Sequence, residues 1–408
     1  MRWVLVKFAP DEFIVEEILP DGTVLEIDKP FKAKDEPGKF TRFVLQKRQW
    51  NTLQALIALA RVLHTSRNRF NFAGTKDRNS TSTQLCSAFG MMPEEVLRAH
   101  VKDLKILGAW NAAEKVRLGE LAGNRFTISL TEENCGKKTS AEEIEERAKA
   151  IGYRVPNFFG EQRFGSLRKN THAVGKLIIQ GKLREAVMNY ITFVEEGEKQ
   201  DAVDARKKLA EEKDFSKAIT YFPLYLKYER SMVSHLNAYP KDYAGALRRL
   251  PRTLQLMFVH AYQSWLFNQL LEQRIGDGNP FVAEKGDYWC GADKNGFPKA
   301  ADAEEITSKK KAEEVTEKIA KGRAFLLGHI IGYETVPSEA EEKLLKKEGI
   351  KAGDFKLAAL PELSSRGSLR PLFINMAGFR MLEKEPLRIR FSLPAGAYAT
   401  VAVKELLK

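Results

Sequence analysis

The hydrophobic periodicity changes twice along the chain, and this pattern constrains the fold more than any other feature. Short segments with the alternation of β-strands occupy much of residues 13–130. After Pro156 the apolar residues recur mainly at helical spacing, as in residues 173–193 and 253–275. Strand character returns at residues 387–393. We therefore predict a mixed α+β domain, interrupted by a large, mainly helical insertion, with the C-terminal strand returning to the first domain.

Local signals refine this prediction in the first domain. Asn51 is a good N-cap residue and predicts a helix over residues 52–63. Strands predicted at 70–73 and 83–89 flank a polar loop at 74–82. Ser140 and Glu143 form a capping-box pattern that begins another helix. Further strands are predicted at residues 13–18, 23–27, 39–47 and 125–130.

Length and charge narrow the class of protein. A chain of 408 residues is longer than one hydrophobic core usually supports, which favours two domains. Its 43% hydrophobic and 29% charged residues are typical of a globular protein. The formal net charge of +12 favours a polyanionic partner, since phosphates attract such a surface and release counterions on binding. A lysine-rich surface that serves only solubility is the alternative.

The three cysteines are far apart, at positions 86, 135 and 290, and form no zinc or redox motif. Such sparse use fits a reducing compartment. The first seven residues carry charge where a signal peptide needs an apolar core, and no run approaches the roughly 20 apolar residues of a membrane span. We therefore expect a cytoplasmic protein without a membrane segment or a metal site.

The densest group of polar residues is the predicted loop and its flanks, Asn71-Phe-Ala-Gly-Thr-Lys-Asp-Arg-Asn-Ser-Thr-Ser-Thr-Gln84. Asp77 lies between the cations Lys76 and Arg78, which should lower the pKa of its carboxyl and keep it ionised. That is the state a nucleophile or a general base needs. A surface loop with an ordinary ion pair is the alternative. No second glycine precedes Lys76, so this is not a phosphate-binding P-loop.

This loop resembles the catalytic motif of the TruD family of tRNA pseudouridine synthases, whose pattern is approximately GxKDRxAxTxQ. Ser80 and Ser82 stand where alanine and threonine are common in that pattern. Other stretches resemble the family in the same order along the chain, while residues 181–360 match it only weakly apart from 263–268. The matching stretches are Lys7-Phe-Ala-Pro-Asp-Glu-Phe-Ile-Val-Glu16, Arg117-Leu-Gly-Glu-Leu-Ala-Gly-Asn-Arg-Phe126, Val155-Pro-Asn-Phe-Phe-Gly-Glu-Gln-Arg-Phe-Gly165 and Phe391-Ser-Leu-Pro-Ala-Gly-Ala-Tyr-Ala-Thr400.

The resemblance implies a pseudouridine synthase catalytic domain at residues 1–157 and 366–408, with a TRUD-type insertion domain at 158–365. It implies that the chain isomerises uridine to pseudouridine in tRNA, typically at position 13. The reaction needs no cofactor, because nothing is oxidised or transferred in. By the same resemblance Asp77 is the catalytic residue, which either attacks C1′ of the ribose or removes a proton from C2′. The sequence leaves both routes open, and protein partners are unknown from it.

The resemblance also assigns supporting roles, each with a structural alternative. Lys7 would keep Asp77 charged, or it is one more surface lysine. Asn124 would bond the loop or the target nucleotide, or it is a turn residue. Phe126 would stack on the uracil, and Phe391 would form another wall of the pocket, or both rings belong to the core. The residues expected to meet RNA are Lys76, Arg78, Arg125 and Arg163.

Two other classes of function remain as alternatives. The first is a structured-RNA-binding protein that keeps a synthase scaffold without activity, although the intact Lys-Asp pair of the loop argues against it. The second is an RNA methyltransferase, which would need a glycine-rich strand-to-helix turn for its cofactor. The sequence shows no such turn.

Overall fold

A computed structural model describes residues 8–408 of the chain. These residues form two compact units. The first unit comprises the described part of Met1–Asn157 together with Gly291–Lys299 and Phe373–Lys408. The second unit comprises Phe158–Cys290 and Ala300–Leu372.

The strands occupy both units. They are β1 (Phe13–Ile18), β2 (Phe40–Arg48), β3 (Phe70–Phe72), β4 (Thr81–Phe89), β5 (Leu104–Ala112), β6 (Gly123–Ser129), β7 (Arg154–Pro156), β8 (Tyr288–Gly291), β9 (Glu304–Glu305), β10 (Ala324–Ile330), β11 (Ser368–Pro371), β12 (Phe373–Asn375), β13 (Ala377–Lys384) and β14 (Leu387–Pro394).

Most of the helices lie in the second unit. The α-helices are α1 (Thr52–Val62), α2 (Pro93–Leu97), α3 (Glu132–Cys135), α4 (Ala141–Ala150), α5 (Thr171–Ile179), α6 (Leu183–Thr192), α7 (Gln200–Glu212), α8 (Phe215–Tyr221), α9 (Lys227–Ala238), α10 (Tyr243–Arg248), α11 (Arg252–Gly276), α12 (Lys309–Ala320), α13 (Glu339–Glu348) and α14 (Ala399–Leu406). Short 3-10 helices lie at Arg67–Arg69, Glu161–Phe164, Ala300–Asp302, Ala352–Phe355 and Pro361–Leu363.

The first unit is built on an eight-stranded mixed sheet in the order β13-β14-β6-β1-β4-β2-β5, with β3 paired to β4. Strands β1 and β4 are parallel, and their neighbours in the sheet are antiparallel. Strand β14 pairs with β6, so this C-terminal segment lies in the same sheet as β1. This sheet confirms the predicted α+β class.

Two hydrophobic cores lie on one face of this sheet. Phe13, Phe126 and Phe391 pack with helices α4 and α14 in the first core. Phe43 and Leu45 pack with α1 in the second. Cross-strand partners point to the same face, and side chains alternate along each strand. Lys47 is therefore on this face with Leu45, and its cross-strand partner is Ser82.

Most local predictions are confirmed, and two are wrong. The Asn51 side chain caps α1, and α4 begins with the predicted capping box. The helix predicted over residues 173–193 is two helices, because the chain turns at Gly181 with φ of +72°. The strand predicted at residues 23–27 is a loop with a single bridge to β1.

The second unit contains more than helices. Its core joins α5, α6 and α11 through buried apolar side chains. It also has a four-stranded sheet in the order β11-β10-β8-β9, which the sequence did not reveal. The compact units depart from the expected domain bounds at two places. Residues 366–372 fall in the second unit, since β11 pairs with β10, and Gly291–Lys299 falls in the first. The predicted domain assignment itself stays a prediction.

Within residues 8–408 no helix combines the length and the apolar composition that crossing a membrane requires.

Candidate active site

The loop between β3 and β4 is tied to the sheet on both sides of Asp77. Before it, the Lys76 main-chain N–H donates to the Thr52 hydroxyl at 2.9 Å, and that hydroxyl donates to the Gln84 side chain at 2.8 Å. After it, the Ser80 hydroxyl donates to the Asp77 carbonyl at 2.9 Å. The main chain at Asp77 is therefore fixed, while its side chain is exposed to solvent.

Lys47 holds the same point from the sheet. Its side chain is fully buried, and its amino group donates to the main-chain oxygens of Asp77 at 2.9 Å and Trp50 at 2.5 Å. Lys47 is not among the site residues predicted from the sequence. The available signal was its inward position in β2, where the alternation places apolar Phe43 and Leu45 on the same face.

Lys76 forms a buried ion pair and not the expected phosphate contact. Its ammonium lies 2.6 Å from a Glu17 carboxylate oxygen, with side-chain exposures of 4% and 0%. The other Glu17 oxygen accepts from the Leu85 main-chain N–H at 2.9 Å. Since its charge is enclosed and paired, Lys76 has no free surface to meet RNA. The expected RNA-binding role of Lys76 is therefore corrected to a structural one next to Asp77.

The prediction that Asp77 has a low pKa is also wrong. Desolvation by the surrounding protein raises the pKa of its carboxyl, and the charges of Lys47 and Lys76 only oppose this rise. Burial in turn lowers the pKa of Lys47 to about 7, against the attraction of Asp77. The Asp77 carboxyl is thus in contact with solvent, but the protein around it is dense enough to disfavour its charged form. A shifted carboxyl of this kind is typical of a functional site.

Asn124 lies on the same face of the sheet as Glu17, its cross-strand partner on β1. Within the described residues, the Asn124 Oδ1 atom is buried and has no hydrogen-bond partner. The same is true of the Ser82 Oγ atom on β4. Buried polar atoms are nearly always paired, so two orphans that lie opposite Glu17 and Lys47 on the neighbouring strands β6 and β4 mark a surface suited to a polar ligand.

Phe126 and Phe391 pack in the core. Their ring centroids lie 5.9 Å apart, and Phe126 lies 5.9 Å from Phe13 on its other side. Phe126 is 6% exposed and Phe391 is fully buried. The structure therefore favours the packing alternative for both rings, and a stacking role for Phe126 stays a prediction.

The remaining predicted residues have different surroundings. Arg78 is exposed beside Asp77. Arg125 donates to Glu16 at 2.7 Å and to Glu26 at 3.0 Å, on the opposite face of β6 from Asn124, so two carboxylates already occupy the guanidinium that was expected to meet RNA. In the second unit, Arg163 donates to Ser264 at 3.1 Å and lies over the Phe159 ring. Lys7 lies outside the described residues.

No group of three or more histidine, cysteine, aspartate or glutamate side chains in residues 8–408 is arranged to hold a metal ion. The absence of a cofactor stays a prediction.

Comparison with known proteins gives consistent matches over the whole length. The family model described as tRNA pseudouridine synthase D (TruD) matches residues 4–406. Proteins named "Probable tRNA pseudouridine synthase D" are similar in sequence. The one from Methanococcoides burtonii is 34% identical over 405 residues, covering 95% of this chain and 91% of that protein. The one from Methanosarcina acetivorans is 36% identical over 407 residues, covering 95% and 91%.

A solved structure is similar as well. The crystal structure of a protein from Methanosarcina mazei described as "Putative tRNA pseudouridine synthase D (TruD)" aligns with a TM-score of 0.76 at 33% sequence identity. The alignment covers 100% of this chain and 95% of that chain.

Proposed function

The chain belongs to the TruD family of tRNA pseudouridine synthases, and we propose that it isomerises a uridine of tRNA to pseudouridine. We propose further that the uridine is at position 13 and that the reaction uses the Asp77 carboxylate and no cofactor. The presentation of Asp77 is the observation that carries this proposal. Its main chain is fixed by Lys47 and Ser80, while its side chain is open to solvent. A nucleophile or base needs this combination of a fixed position and access to substrate.

Uridine and pseudouridine have the same composition, so the reaction consumes no co-reactant. In one route the Asp77 carboxylate attacks C1′, and the N1–C1′ bond breaks as uracil leaves with the electron pair. The base turns, C5 bonds to C1′ as the carboxylate leaves, and C5 loses its proton while N1 gains one. In the other route the carboxylate removes a proton from C2′ as uracil leaves with the electron pair, and returns it as C5 bonds to C1′. C5 then loses its proton while N1 gains one. The site supports either route.

The orphan polar atoms give the site a means to recognise the base. A buried acceptor without a partner costs about 1–3 kcal/mol, which a hydrogen bond from a ligand offsets. We assign Asn124 Oδ1 as the acceptor for the N3–H of the target uracil. The base must leave its stack to reach it, which is the usual requirement for enzymes that act on a base. Arg78, exposed next to Asp77, is suited to a phosphate of the same strand.

Release of tritium tests this function directly. Transfer RNA labelled with tritium at uracil C5 loses the label when C5 bonds to C1′. Asp77→Asn should abolish release and leave tRNA affinity nearly unchanged, since the amide keeps the shape of the side chain. Asp103→Asn is the control, because Asp103 is exposed and its φ of +62° suits asparagine equally well. Continued release by Asp77→Asn would exclude the catalytic assignment.

Two further outcomes separate the finer claims. A transcript with cytidine at position 13 should release no tritium, and full release from it would show that the target lies elsewhere. If the unaltered protein binds tRNA without releasing label, the chain is an RNA-binding protein on a synthase scaffold. The cytoplasmic location predicted from the sequence belongs to this proposal, since it places the protein with its tRNA substrate.

A further inference from the structure

Lys47 is a buried cation whose amino group donates to the Asp77 carbonyl at 2.9 Å, yet none of the bond changes of the proposed reaction uses it. It has no solvent-exposed surface, and β2 presents it on the face that carries the apolar cores. An unpaired charge in such a place is costly, so a buried lysine usually has a specific role. We propose that Lys47 is a positioning residue that holds the Asp77 main chain and keeps the Asp77 carboxylate ionised with its positive charge. This inference rests on the proposed function of Asp77.

The two hydrogen bonds of Lys47 distinguish its role in holding the loop from the electrostatic effect of its charge, which we call its electrical role. They go to the carbonyl oxygens of Asp77 and Trp50. A protonated lysine has three N–H donors and a neutral amine has two, so both forms satisfy the two carbonyls. Loss of the proton therefore leaves the loop in place but removes the positive charge beside Asp77.

The groups around Lys47 allow its positive charge to act on Asp77 at acidic pH. Asp77 favours the protonated amine, Lys76 disfavours it, and Cys86 on β4 faces the same region. Burial raises the pKa of the Cys86 thiol, which stays neutral, and Glu17 on β1 neutralises Lys76. Among the described residues, Lys47 is therefore the cation that lowers the pKa of Asp77 most, ahead of Lys76. With a pKa of about 7, Lys47 is protonated at acidic pH, where its charge opposes the rise in the pKa of Asp77.

The pH dependence of turnover tests the electrical role. In Lys47→Met the acid limb of kcat should move to higher pH by about one unit, which is a tenfold loss of rate below the limb. The KM for tRNA should change little, and Lys47→Arg should restore the limb in part. Lys105→Met is the control, because Lys105 lies on the neighbouring strand β5 but is exposed. A folded Lys47→Met protein with an unchanged acid limb would overturn the proposal.

A second measurement uses the unaltered protein and does not depend on activity. Aspartate labelled with ¹³C at the carboxyl carbon is followed by NMR as the pH changes, and the Asp77 signal is the one missing in Asp77→Asn. This signal should show its own titration and a smaller inflection near pH 7, when Lys47 loses its proton. Its absence would refute the electrical role even if Asp77 proves to be catalytic. Conversely, the inflection should still be observed if tritium release showed that Asp77 is not catalytic.

The hairpin of β13 and β14 carries three arginines on one face. Arg380 and Arg390 are cross-strand partners, and Arg388 lies two residues from Arg390 on the same face. These three residues are called the arginine surface. Like charges opposite each other on a sheet are destabilising. Burial lowers the pKa of Arg390, and the charges of Arg125, Arg380 and Arg388 lower it further.

The arginine surface is only partly neutralised. Arg388 lies 3.6 Å from Glu383, and in the described residues its Nε atom is buried without a hydrogen-bond partner. Arg380 is exposed. The cost of holding three guanidinium groups together falls when an anion with several charges binds them. We infer that the arginine surface binds the phosphate backbone of tRNA, an inference that also rests on the proposed function.

Salt dependence of tRNA binding tests this surface. Replacement of all three arginines with glutamine should weaken binding and reduce the slope of log K against log[salt] by about 2–3, since each phosphate contact contributes nearly one. The control variant replaces three exposed lysines of the first unit, Lys32, Lys34 and Lys39, and so has the same net charge.

Equal slopes for the two triple variants would overturn the arginine surface. If the arginine variant does not fold, amide exchange of β13 and β14 in the unaltered protein decides the point. Bound tRNA should slow exchange there, and unchanged exchange would also refute the inference. Binding is measured without turnover, so neither result bears on the catalytic role of Asp77.

Discussion

Glu17→Gln should destabilise the sheet next to the catalytic loop far more than a surface substitution does. The change keeps the shape of the side chain and an oxygen for the Leu85 N–H. It removes the negative charge that lies 2.6 Å from the Lys76 ammonium, in a pair whose side chains are 0% and 4% exposed. Breaking a buried pair by removing one partner costs about 3–5 kcal/mol, because the remaining charge is left unpaired.

Amide exchange of β4 measures this cost where it arises. Because about 1.4 kcal/mol corresponds to a factor of ten, exchange of the protected β4 amides should accelerate by roughly two to four powers of ten. The double variant Glu17→Gln, Lys76→Met removes both charges and should be less destabilised than Glu17→Gln alone. The control is Lys29→Met, which breaks an exposed pair with Glu26 and should cost less than about 1 kcal/mol.

An acceleration of tenfold or less in Glu17→Gln would refute this reasoning. It would mean that water or a neighbouring group reaches the Lys76 ammonium, so that the pair is not electrostatically isolated. A double variant as unstable as the single one would also contradict it, because the cost would then come from packing and not from an unpaired charge.

Three other predictions follow from the site. Arg78→Gln should reduce the salt slope of tRNA binding by about one, as measured by fluorescence anisotropy, since it removes one phosphate contact. Phe126→Ala should lower the free energy of unfolding, measured by urea titration, by about 3–5 kcal/mol, because the ring fills the core. If the variant instead lost turnover and kept its stability, the ring would stack on the base. Folding raises the pKa of the Asp77 carboxyl above its unfolded value, so the folded state binds the carboxyl proton more tightly. The stability of the fold therefore falls as pH rises from the unfolded pKa to the folded pKa. The melting temperature of Asp77→Asn relative to the unaltered protein should therefore increase as pH rises from below 3.8, and a constant difference would contradict the raised pKa.

Signals within a few residues of sequence predicted the local structure well. The cap at Asn51, the capping box at Ser140 and the strand before the catalytic loop depend on neighbouring residues, and the structure contains all three. The strand β10 was missed because a short apolar run such as Ala324–Ile330 fits a strand or a buried helix equally well. Its identity depends on pairing with β11, which lies about 40 residues later in the chain.

The electrostatics of the site could not be predicted in this way. The motif places Lys76 and Arg78 beside Asp77, which suggested that the two neighbours lower its pKa. In the structure Lys76 is paired with Glu17, which lies 59 residues away in sequence. The cation that supports the Asp77 main chain is Lys47, at a separation of 30 residues. Adjacency in sequence therefore identified Lys76 but not Lys47, the cation with the larger effect on the pKa of the carboxyl.

The arrangement of these charges on the sheet has a consequence for how the site is tuned. Lys47 and Glu17 come from β2 and β1, the two strands that flank β4. Because β4 begins four residues after Asp77, the same strand pairing that holds the fold also fixes the distance from the carboxyl to both lysines. A shift of β4 by one residue would turn Ser82 and Gln84 to the other face and separate them from Lys47 and Thr52. The stability of this pairing and the charge of Asp77 are thus set by the same contacts, so substitutions that loosen β4 should alter the acid limb of turnover even where they leave the loop sequence intact.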